Sequence, residues 1–212
     1  MKDYKKYNDI LFARWAPIYD GFELLLSGVR KEMMQAINPT GKSVLDVATG
    51  TGSLAIFLSQ QAKKVIGIDL SSKMLAVARK KTTKDNLTFL QMDASEMSFQ
   101  DNEFDIVTIS LGLHDMPLEV RTSVLKEIKR VLKKDGKLYV FEYDLPQNKF
   151  IASCTSYLIN IYESKYYLNF IQSDVAKYLQ TFGFRLQGKT NYLFEHLQLL
   201  TLTNEYPTDN ES

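Results

Sequence analysis

VLDVATGTG, residues 44–52, places an apolar, β-branched run directly before a turn that contains two glycines. An apolar strand followed by a glycine turn is typical of α/β domains that bind nucleotides, because glycine lets backbone N–H groups approach a ligand closely. The turn by itself does not identify the nucleotide, since several classes of cofactor are bound after a first strand. The residues that follow the later strands must identify the nucleotide.

Apolar runs and helical patterns alternate from residue 43 to about residue 145, which predicts βαβ units and a parallel sheet. We predict strands at 43–48, 64–69, 87–91, 104–110 and 136–143, and helices at 53–61, 72–81 and 117–132. In the last helix, apolar residues recur at helical spacing. We expect Asp115 to cap its start and Gly136 to mark its end.

The whole chain of 212 residues is predicted to form a single α/β domain. Residues 1–38 are expected to form an N-terminal helical lid and residues 43–145 the cofactor-binding core. Residues 146–203 are expected to form a helical, aromatic segment and a closing hairpin, whose turn we place near 188–191. Residues 204–212 have the composition of a disordered tail.

Composition argues against several kinds of partner. Twenty-six Lys and Arg stand against 25 Asp and Glu, so the net charge provides no field that would hold a nucleic acid. The single cysteine, Cys154, cannot form an internal disulfide, and one cysteine with two histidines argues against a structural zinc site. The first 15 residues carry charges throughout and contain no apolar run of signal-peptide length, and no stretch of the sequence has membrane-spanning length, so we expect a cytoplasmic protein.

Polar residues follow the predicted strands at the edge where a parallel sheet binds its ligand. After the first strand, Asp46 offers a carboxylate, and Gly50 and Gly52 offer open backbone. Asp69 ends the second strand, where it can accept hydrogen bonds from both hydroxyls of a ribose. Asp93 follows the third strand and can accept from the exocyclic amine of an adenine. These positions predict a ligand with an adenine, a ribose and a compact charged head.

The fourth strand runs into SLGLHDMP, residues 110–117, which would face that charged head. His114 is a candidate general base there, because imidazole gains and loses a proton near neutral pH. A role in ordering the loop has equal weight, since positioning alone can contribute about 7 to 11 kcal/mol in well-oriented reactions. His196 lies in an aromatic strand pattern and is assigned to packing or to the surface.

In order and spacing, the motifs resemble those of class I S-adenosylmethionine (SAM)-dependent methyltransferases, and they are most similar to the ubiquinone/menaquinone biosynthesis C-methyltransferase family. The resemblance covers about residues 12–183. It is carried by WAPIYDGFELLLSGVR (15–30), VLDVATGTG (44–52), IDLSSKMLAVAR (68–79), LQMDASEMSFQDNEFDIVTISLGL (90–113) and LKEIKRVLKKDGKLYVFEYDLP (125–146).

This resemblance implies a Rossmann-like fold: a seven-stranded, mostly parallel sheet with an antiparallel last strand and helices on both faces. It also implies SAM as the cofactor and a small-molecule acceptor. The cofactor-contact positions that it implies are Thr51, Asp69, Asp93, Ala94 and Ser110, and it places Tyr19, in the YD segment, over the cofactor.

Two features depart from the family pattern. The family has GLRNVTD after the fourth strand, where this chain has GLHDMP, residues 112–117. The C-terminal region is also short and ends differently. A quinone-like or otherwise aromatic acceptor is the first expectation from the resemblance. A small amine, thiol or hydroxyl compound is the second.

Other interpretations remain open from the sequence. Asp46 has equal weight as a residue that orients the glycine loop, and Asp93 has an alternative role as a cap for the residues that follow it. An NAD(P)-dependent oxidoreductase is a rival, although the third glycine that a pyrophosphate turn favours is Ala55 here. A non-catalytic SAM-binding protein is a second rival, which the altered GLHDMP loop keeps open.

Overall fold

The computed structural model describes residues 27–146 and 166–205. Several predictions lie outside these ranges: the position of Tyr19, most of the N-terminal lid, Cys154, the first part of the segment after residue 146, and the tail beyond residue 205. Within the described ranges, no helix combines the length and the apolar content that crossing a bilayer requires.

Strands and helices alternate through the core as the sequence pattern predicts. The strands are β1 (Ser43–Val47), β2 (Lys64–Asp69), β3 (Leu87–Gln91), β4 (Phe104–Ser110), β5 (Leu132–Tyr143), β6 (Phe184–Tyr192) and β7 (Leu197–Asn204). The helices of the described ranges are α1 (Ser27–Ile37), α2 (Ser53–Leu58), α3 (Ser72–Lys80), α4 (Leu118–Val131), α5 (Tyr167–Ile171) and α6 (Val175–Gln180).

The seven strands form one sheet in the order β3-β2-β1-β4-β5-β7-β6. Strands β1 to β5 pair in parallel, whereas β7 is antiparallel to both of its neighbours, β5 and β6. The strand order reverses between β1 and β4, so the loops that follow these two strands diverge and open a crevice at the carboxyl edge. The predicted fold class, with its antiparallel last strand, is confirmed.

Helices cover both faces of the sheet, also as predicted. Successive strand residues point to opposite faces, so the β-branched runs are buried on both sides. In β1, Val44 packs in the core under α1, α2 and α3, whereas Leu45 packs in the core under α4 and α6. The buried stripe of α4 is the one that its periodicity predicts: Val120, Val124, Leu125, Ile128 and Val131.

The prediction for the start of β5 is wrong. The strand begins at Leu132, directly after α4, and not at Gly136. Leu132 is buried and pairs with Phe104, and the register then jumps, so that Lys137 pairs with Ile106. Gly136 lies in the intervening bulge, where a Cβ would come within 2.8 Å of the Leu132 side chain. Close packing, rather than termination of the helix, explains this glycine.

The hairpin turn is also displaced from its predicted position. The chain turns at residues 193–196, where Leu193, Phe194 and Glu195 all have positive φ. Gly188 lies inside β6, at a register shift between Leu186 and Gly188. An isolated glycine in a strand commonly marks such a bulge, and it was mistaken here for a turn.

Asn204 belongs to β7 and not to a tail, which corrects the predicted boundary. Its side chain is fully buried, and its Nδ2 donates to the carbonyls of Lys129, Leu132 and Lys133 at 3.1, 2.8 and 3.3 Å. Its Oδ1 accepts from Lys129 Nζ at 3.0 Å. The last carbonyls of a helix have no partner within the helix, so the end of β7 caps α4.

We expect Asn204→Ala to lower the free energy of unfolding by about 1–3 kcal/mol, because it leaves buried carbonyls at the end of α4 without their donor. Asn191→Ala, at an exposed position on the same hairpin, is the matched control and should change stability by less than about 0.5 kcal/mol. Urea unfolding followed by circular dichroism measures both. Equal losses in the two variants would contradict the capping role.

Candidate functional site

A cleft lies at the carboxyl edge of the sheet, where the loops after β1, β2, β3 and β4 meet. It encloses about 710 Å³ of space that is partly open to solvent. Its walls bring together five residues that the sequence predicts for cofactor contact or places beside it: Gly50, Asp69, Asp93, Ala94 and Ser110. The crevice therefore forms where the strand order reverses, as the fold requires.

The glycine loop after β1 turns through left-handed backbone. Gly50 has a φ of 56° and Gly52 a φ of 78°. At Gly52 a Cβ would lie 2.5 Å from the ring of Phe89, so packing excludes any side chain there. At Gly50 nothing lies within 4 Å of the place that a Cβ would occupy. Gly52 is thus required by the core, and Gly50 by the backbone conformation beside the cleft.

Asp46 lies beneath the glycine loop rather than on the wall of the cleft. It is 1% exposed, and its Oδ2 accepts from the Thr49 hydroxyl at 2.5 Å while its Oδ1 accepts from the Thr108 hydroxyl at 2.6 Å. Thr51 is also 1% exposed and is not a wall residue. This geometry favours the loop-orienting interpretation of Asp46, in which the carboxylate ties β4 to the loop after β1.

Asp69 joins two loops and also faces the cleft. Its Oδ2 accepts from the backbone N–H of Gly50 and its Oδ1 from that of Ser71, both at 2.8 Å. Burial raises the pKa of the Asp69 carboxyl above its ordinary value, and the backbone donors offset part of that rise. Each carboxylate oxygen has a second lone pair, so Asp69 can bind both loops and still accept from a ligand hydroxyl.

Like Asp69, Asp93 both binds a local turn and lines the cleft. Its Oδ1 accepts from the N–H of Ser95 at 2.9 Å and from its hydroxyl at 2.6 Å, which is the local turn that the capping alternative describes. Asp93 also lines the cleft next to Ala94. The side chains of Met74 and Met92 line the same region and give it an apolar surface.

The loop after β4 is held by two buried charged residues that sequence reasoning missed. Glu142 of β5 is fully buried, and its Oε1 accepts from the N–H groups of Gly112 and Leu113 at 2.8 and 2.6 Å. Arg121 of α4 donates to the carbonyls of Leu113 and Met116 at 3.0 and 2.9 Å. A glutamate inside the apolar run YVFEY is a signal that could have identified Glu142, because a buried carboxylate requires partners.

His114 is buried behind this loop and does not line the cleft. It is 3% exposed, and its Nδ1 lies 2.7 Å from Glu142 Oε2. Its Nε2 lies 3.4 Å from Asp115 Oδ2. Asp115, by contrast, is a wall residue. The expectation that Asp115 caps α4 is wrong, because the N-cap residue is Pro117 and no side-chain cap bond is present there.

The wall of the cleft carries negative charge. Asp69, Asp93 and Asp115 all line it, and none of the wall residues in the described part of the chain is Lys, Arg or His. Unit charges about 4 Å apart interact by about 4 kcal/mol at an effective dielectric constant of about 20. The cleft therefore suits a ligand with hydroxyl donors and positive charge, and it opposes a pyrophosphate.

Comparison with known proteins identifies methyltransferases among the relatives of this chain. A family model described as a methyltransferase domain matches residues 44–136. A demethylmenaquinone methyltransferase of Staphylococcus saprophyticus is 36% identical over 174 residues, which cover 78% of this chain and 73% of that protein. One from Lactobacillus johnsonii is 41% identical over 154 residues, covering 66% of this chain and 62% of that protein.

A ubiquinone/menaquinone biosynthesis C-methyltransferase of Azotobacter vinelandii is 33% identical over 156 residues, which cover 70% of this chain and 57% of that protein. The chain thus spans about three fifths of the length of the Lactobacillus and Azotobacter relatives.

Solved structures show the same fold at low identity. A methyltransferase of Haloferax volcanii, solved in complex with a methyltransferase activator, is 18% identical with a TM-score of 0.76 over 95% of this chain and 99% of its own. A SAM-dependent methyltransferase of Mesorhizobium loti is 16% identical with a TM-score of 0.62 over 81% of this chain and 96% of its own.

The two loop glycines provide a matched pair of substitutions. Gly50→Ala adds left-handed strain in open space and should cost about 1–2 kcal/mol of stability. Gly52→Ala adds the same strain and also a clash with Phe89, and overpacking of this kind costs about 1–3 kcal/mol more. Urea unfolding of both variants measures the difference. Equal destabilisation would show that packing against Phe89 does not limit position 52.

Proposed function

The chain belongs to the SAM-dependent methyltransferase family that includes the demethylmenaquinone and ubiquinone/menaquinone biosynthesis methyltransferases, and from this premise we propose that it binds SAM in the cleft and methylates a small-molecule acceptor. An enzyme of this family uses SAM as its cofactor. The binding residues and the acceptor are proposals.

The negative charge of the cleft is the observation that carries the proposal. SAM has a sulfonium, an ammonium and a carboxylate group, and its net positive charge is attracted by the carboxylates of Asp69, Asp93 and Asp115. NAD(P) would bring a pyrophosphate into the same wall, where none of the described wall residues is Lys, Arg or His. The sign of the charge therefore favours SAM over the dinucleotide alternative.

The wall residues divide according to the chemistry of the cofactor. We assign Asp69 to the ribose hydroxyls, because its carboxylate faces the cleft and keeps acceptor capacity beyond its two backbone donors. We assign Asp93 and the apolar surface of Met74, Met92 and Ala94 to the adenine. Gly50 lets the backbone approach the cofactor, and Ser110 lies at the opposite wall. The assignment of Tyr19 stays a prediction, since this residue lies outside the described ranges.

When bound, SAM supplies a methyl group that is activated by its positive sulfur. The chain contributes binding and orientation in a cleft whose loops are tied to buried carboxylates. Because reacting groups held in line gain much of their rate from orientation, rigid loops are themselves a catalytic contribution. Glu142 and Arg121 provide that rigidity for the loop after β4, since they bind its N–H groups and its carbonyls, respectively.

We propose a reduced quinone ring as the acceptor. The names of the demethylmenaquinone methyltransferase relatives support this class. The wall beside Asp115 supports it too, because Met116, Val120 and Val124 give the cleft an apolar side suited to an aromatic ring. Small amines, thiols and hydroxyl compounds form the second class for a screen of acceptors.

Isothermal titration tests the cofactor directly. We expect S-adenosylhomocysteine (SAH), the product form of SAM, to bind with micromolar affinity and NADH not to bind, because the cleft wall opposes a pyrophosphate. The reverse pattern would overturn the proposal. Binding of SAH without turnover of any acceptor in either class would instead identify a non-catalytic SAM-binding protein.

Asp69→Ala should remove most of the affinity for SAH, since hydrogen bonds to a charged group contribute about 1.5–3 kcal/mol each. Asp85→Ala, at an exposed position before β3, is the control and should bind as the wild type does. Circular dichroism establishes that both variants are folded. Normal binding by folded Asp69→Ala would refute the assignment of Asp69 to the ribose.

The affinity for SAH should also depend on pH. Burial holds the pKa of the Asp69 carboxyl above its ordinary value of 3.8. The ribose hydroxyls donate to the ionised carboxylate, so affinity is lost as the pH falls through this raised pKa. Titrations at decreasing pH, down to the lowest pH at which the protein stays folded, measure the loss. Asp69→Asn should bind weakly with little dependence on pH, and the same slope in both proteins would assign the effect to another group.

A further inference from the structure

We propose that the carboxylate of Asp115 takes a hydroxyl proton from the acceptor, and that His114 and Glu142 are positioning residues that hold Asp115 and receive that proton. This inference rests on the methyl transfer proposed above and names the base of that reaction. It moves the role of base from His114, where the sequence places it, to the neighbouring aspartate.

The position of Asp115 supports this assignment. Asp115 is 8% exposed and lines the cleft together with Gly112 and Met116, whereas His114 is 3% exposed and is not a wall residue. A general base must come within hydrogen-bond reach of the proton that it takes. Of these two adjacent residues, Asp115 is the one that an acceptor in the cleft can reach.

Glu142 determines how the imidazole is oriented. Its Oε1 accepts from two backbone N–H groups of the loop after β4, and its Oε2 lies 2.7 Å from His114 Nδ1. Since both oxygens of Glu142 are acceptors, Oε2 accepts a hydrogen bond from the Nδ1–H of His114. The other ring nitrogen, Nε2, is thereby directed to Asp115 Oδ2, at 3.4 Å.

This row of three groups can hold one additional proton. The imidazole of His114 lies between the carboxylates of Glu142 and Asp115. A proton that reaches Asp115 can pass to Nε2, and the resulting imidazolium then has Glu142 on one side and Asp115 on the other, at 2.7 and 3.4 Å. Two flanking carboxylates stabilise the charged ring, which gives the proton transfer a driving force.

The proton balance of the reaction is complete. The hydroxyl proton of the reduced quinone moves to Asp115, and the ring carbon beside the resulting oxyanion forms a bond to the methyl carbon. The bond from methyl carbon to sulfur breaks, and its electron pair stays on sulfur. The proton on that ring carbon leaves to solvent as aromaticity returns, and the proton held by Asp115 and His114 goes back to the oxygen. One proton is released for each methyl group transferred.

Other groups around the imidazole belong in the interpretation of its pH dependence. Besides Glu142 and Asp115, the titratable or charged side chains near it are Tyr143 at the end of β5, Tyr167 of α5, and Arg121 of α4, which binds carbonyls of the same loop. The rings of Tyr143 and Tyr167 make T-shaped contacts with the His114 ring, with centroids 5.0 and 6.1 Å from it, respectively.

Kinetics of Asp115→Asn test the base, with Asp85→Asn as the matched control at an exposed position. The probe is a 1,4-naphthoquinone with a short prenyl chain, reduced in the assay. We expect Asp115→Asn to lower kcat by about 100-fold or more, to lose the acidic limb of the pH profile of kcat, and to keep the SAH affinity within about threefold. Glu142→Gln and His114→Gln should lower kcat by smaller factors and shift that limb.

The acidity of the acceptor separates a base from a structural residue. A naphthoquinol with an electron-withdrawing substituent ionises without help, so the defect of Asp115→Asn should shrink by at least about tenfold with it, as Brønsted behaviour requires. A structural role would give the same defect with both acceptors. A kcat within threefold of wild type, or a defect independent of acceptor acidity, overturns the proposal.

A spectroscopic measurement is independent of the acceptor. The chain has two histidines, and His196, in the turn between β6 and β7, serves as the internal reference for nitrogen-15 spectra of the imidazoles. We expect His114 to carry its proton on Nδ1, and Asp115→Asn to change the nitrogen-15 chemical shifts of His114 without changing those of His196. His114 shifts unchanged by Asp115→Asn overturn the coupling. A third result is also possible: SAH binds and Asp115 is coupled to His114, but no naphthoquinol is methylated. That result would reject the quinone acceptor and leave the arrangement of Asp115, His114 and Glu142 in place.

Discussion

The hydrogen bonds from the N–H groups of Gly50 and Ser71 to the carboxylate of Asp69, both 2.8 Å long, are the interactions on which the carboxyl edge depends. They join the loop after β1 to the loop after β2 around one side chain. Beneath the glycine loop, Asp46 joins the loop after β1 to β4, because it accepts from the hydroxyls of Thr49 and Thr108. A loop at the end of a strand has unpaired N–H groups, and a buried carboxylate can satisfy two or three of them.

Glu142 extends this construction to the far side of the cleft. Its carboxylate binds two N–H groups of the loop after β4 and the imidazole of His114. Arg121 stabilises the same loop by donating to its carbonyls. The edge of the sheet is therefore built by acidic side chains that accept from backbone. Of these three acidic residues, Asp69 also lines the cleft, so one of the groups that stiffen the loops contributes to its negative charge.

Strong periodicity made most of the fold predictable. Each predicted core strand is present because β-branched runs buried on both faces have few other solutions in a parallel sheet. Two predicted boundaries are wrong because a glycine can mark a helix end, a turn or a bulge. Gly136 and Gly188 lie in bulges, but a bulge depends on the register against a partner strand, and no local signal contains that register. Asn204 was assigned to a tail because its partners, at the end of α4, are about 70 positions away in the chain.

For the site, the sequence determined the order of the loops, because parallel strands bring their carboxyl ends to one edge. Asp69 and Asp93 follow from that rule, whereas Ala94 and Ser110 follow from the family resemblance. All four line the cleft. Tertiary structure decided the direction in which each side chain points. It placed Asp46 below the loop, His114 behind it and Asp115 on the wall, and it brought Glu142 to His114 from a neighbouring strand. Adjacent residues on a loop face opposite ways, and the choice between them depends on long-range hydrogen bonds that chain order does not contain.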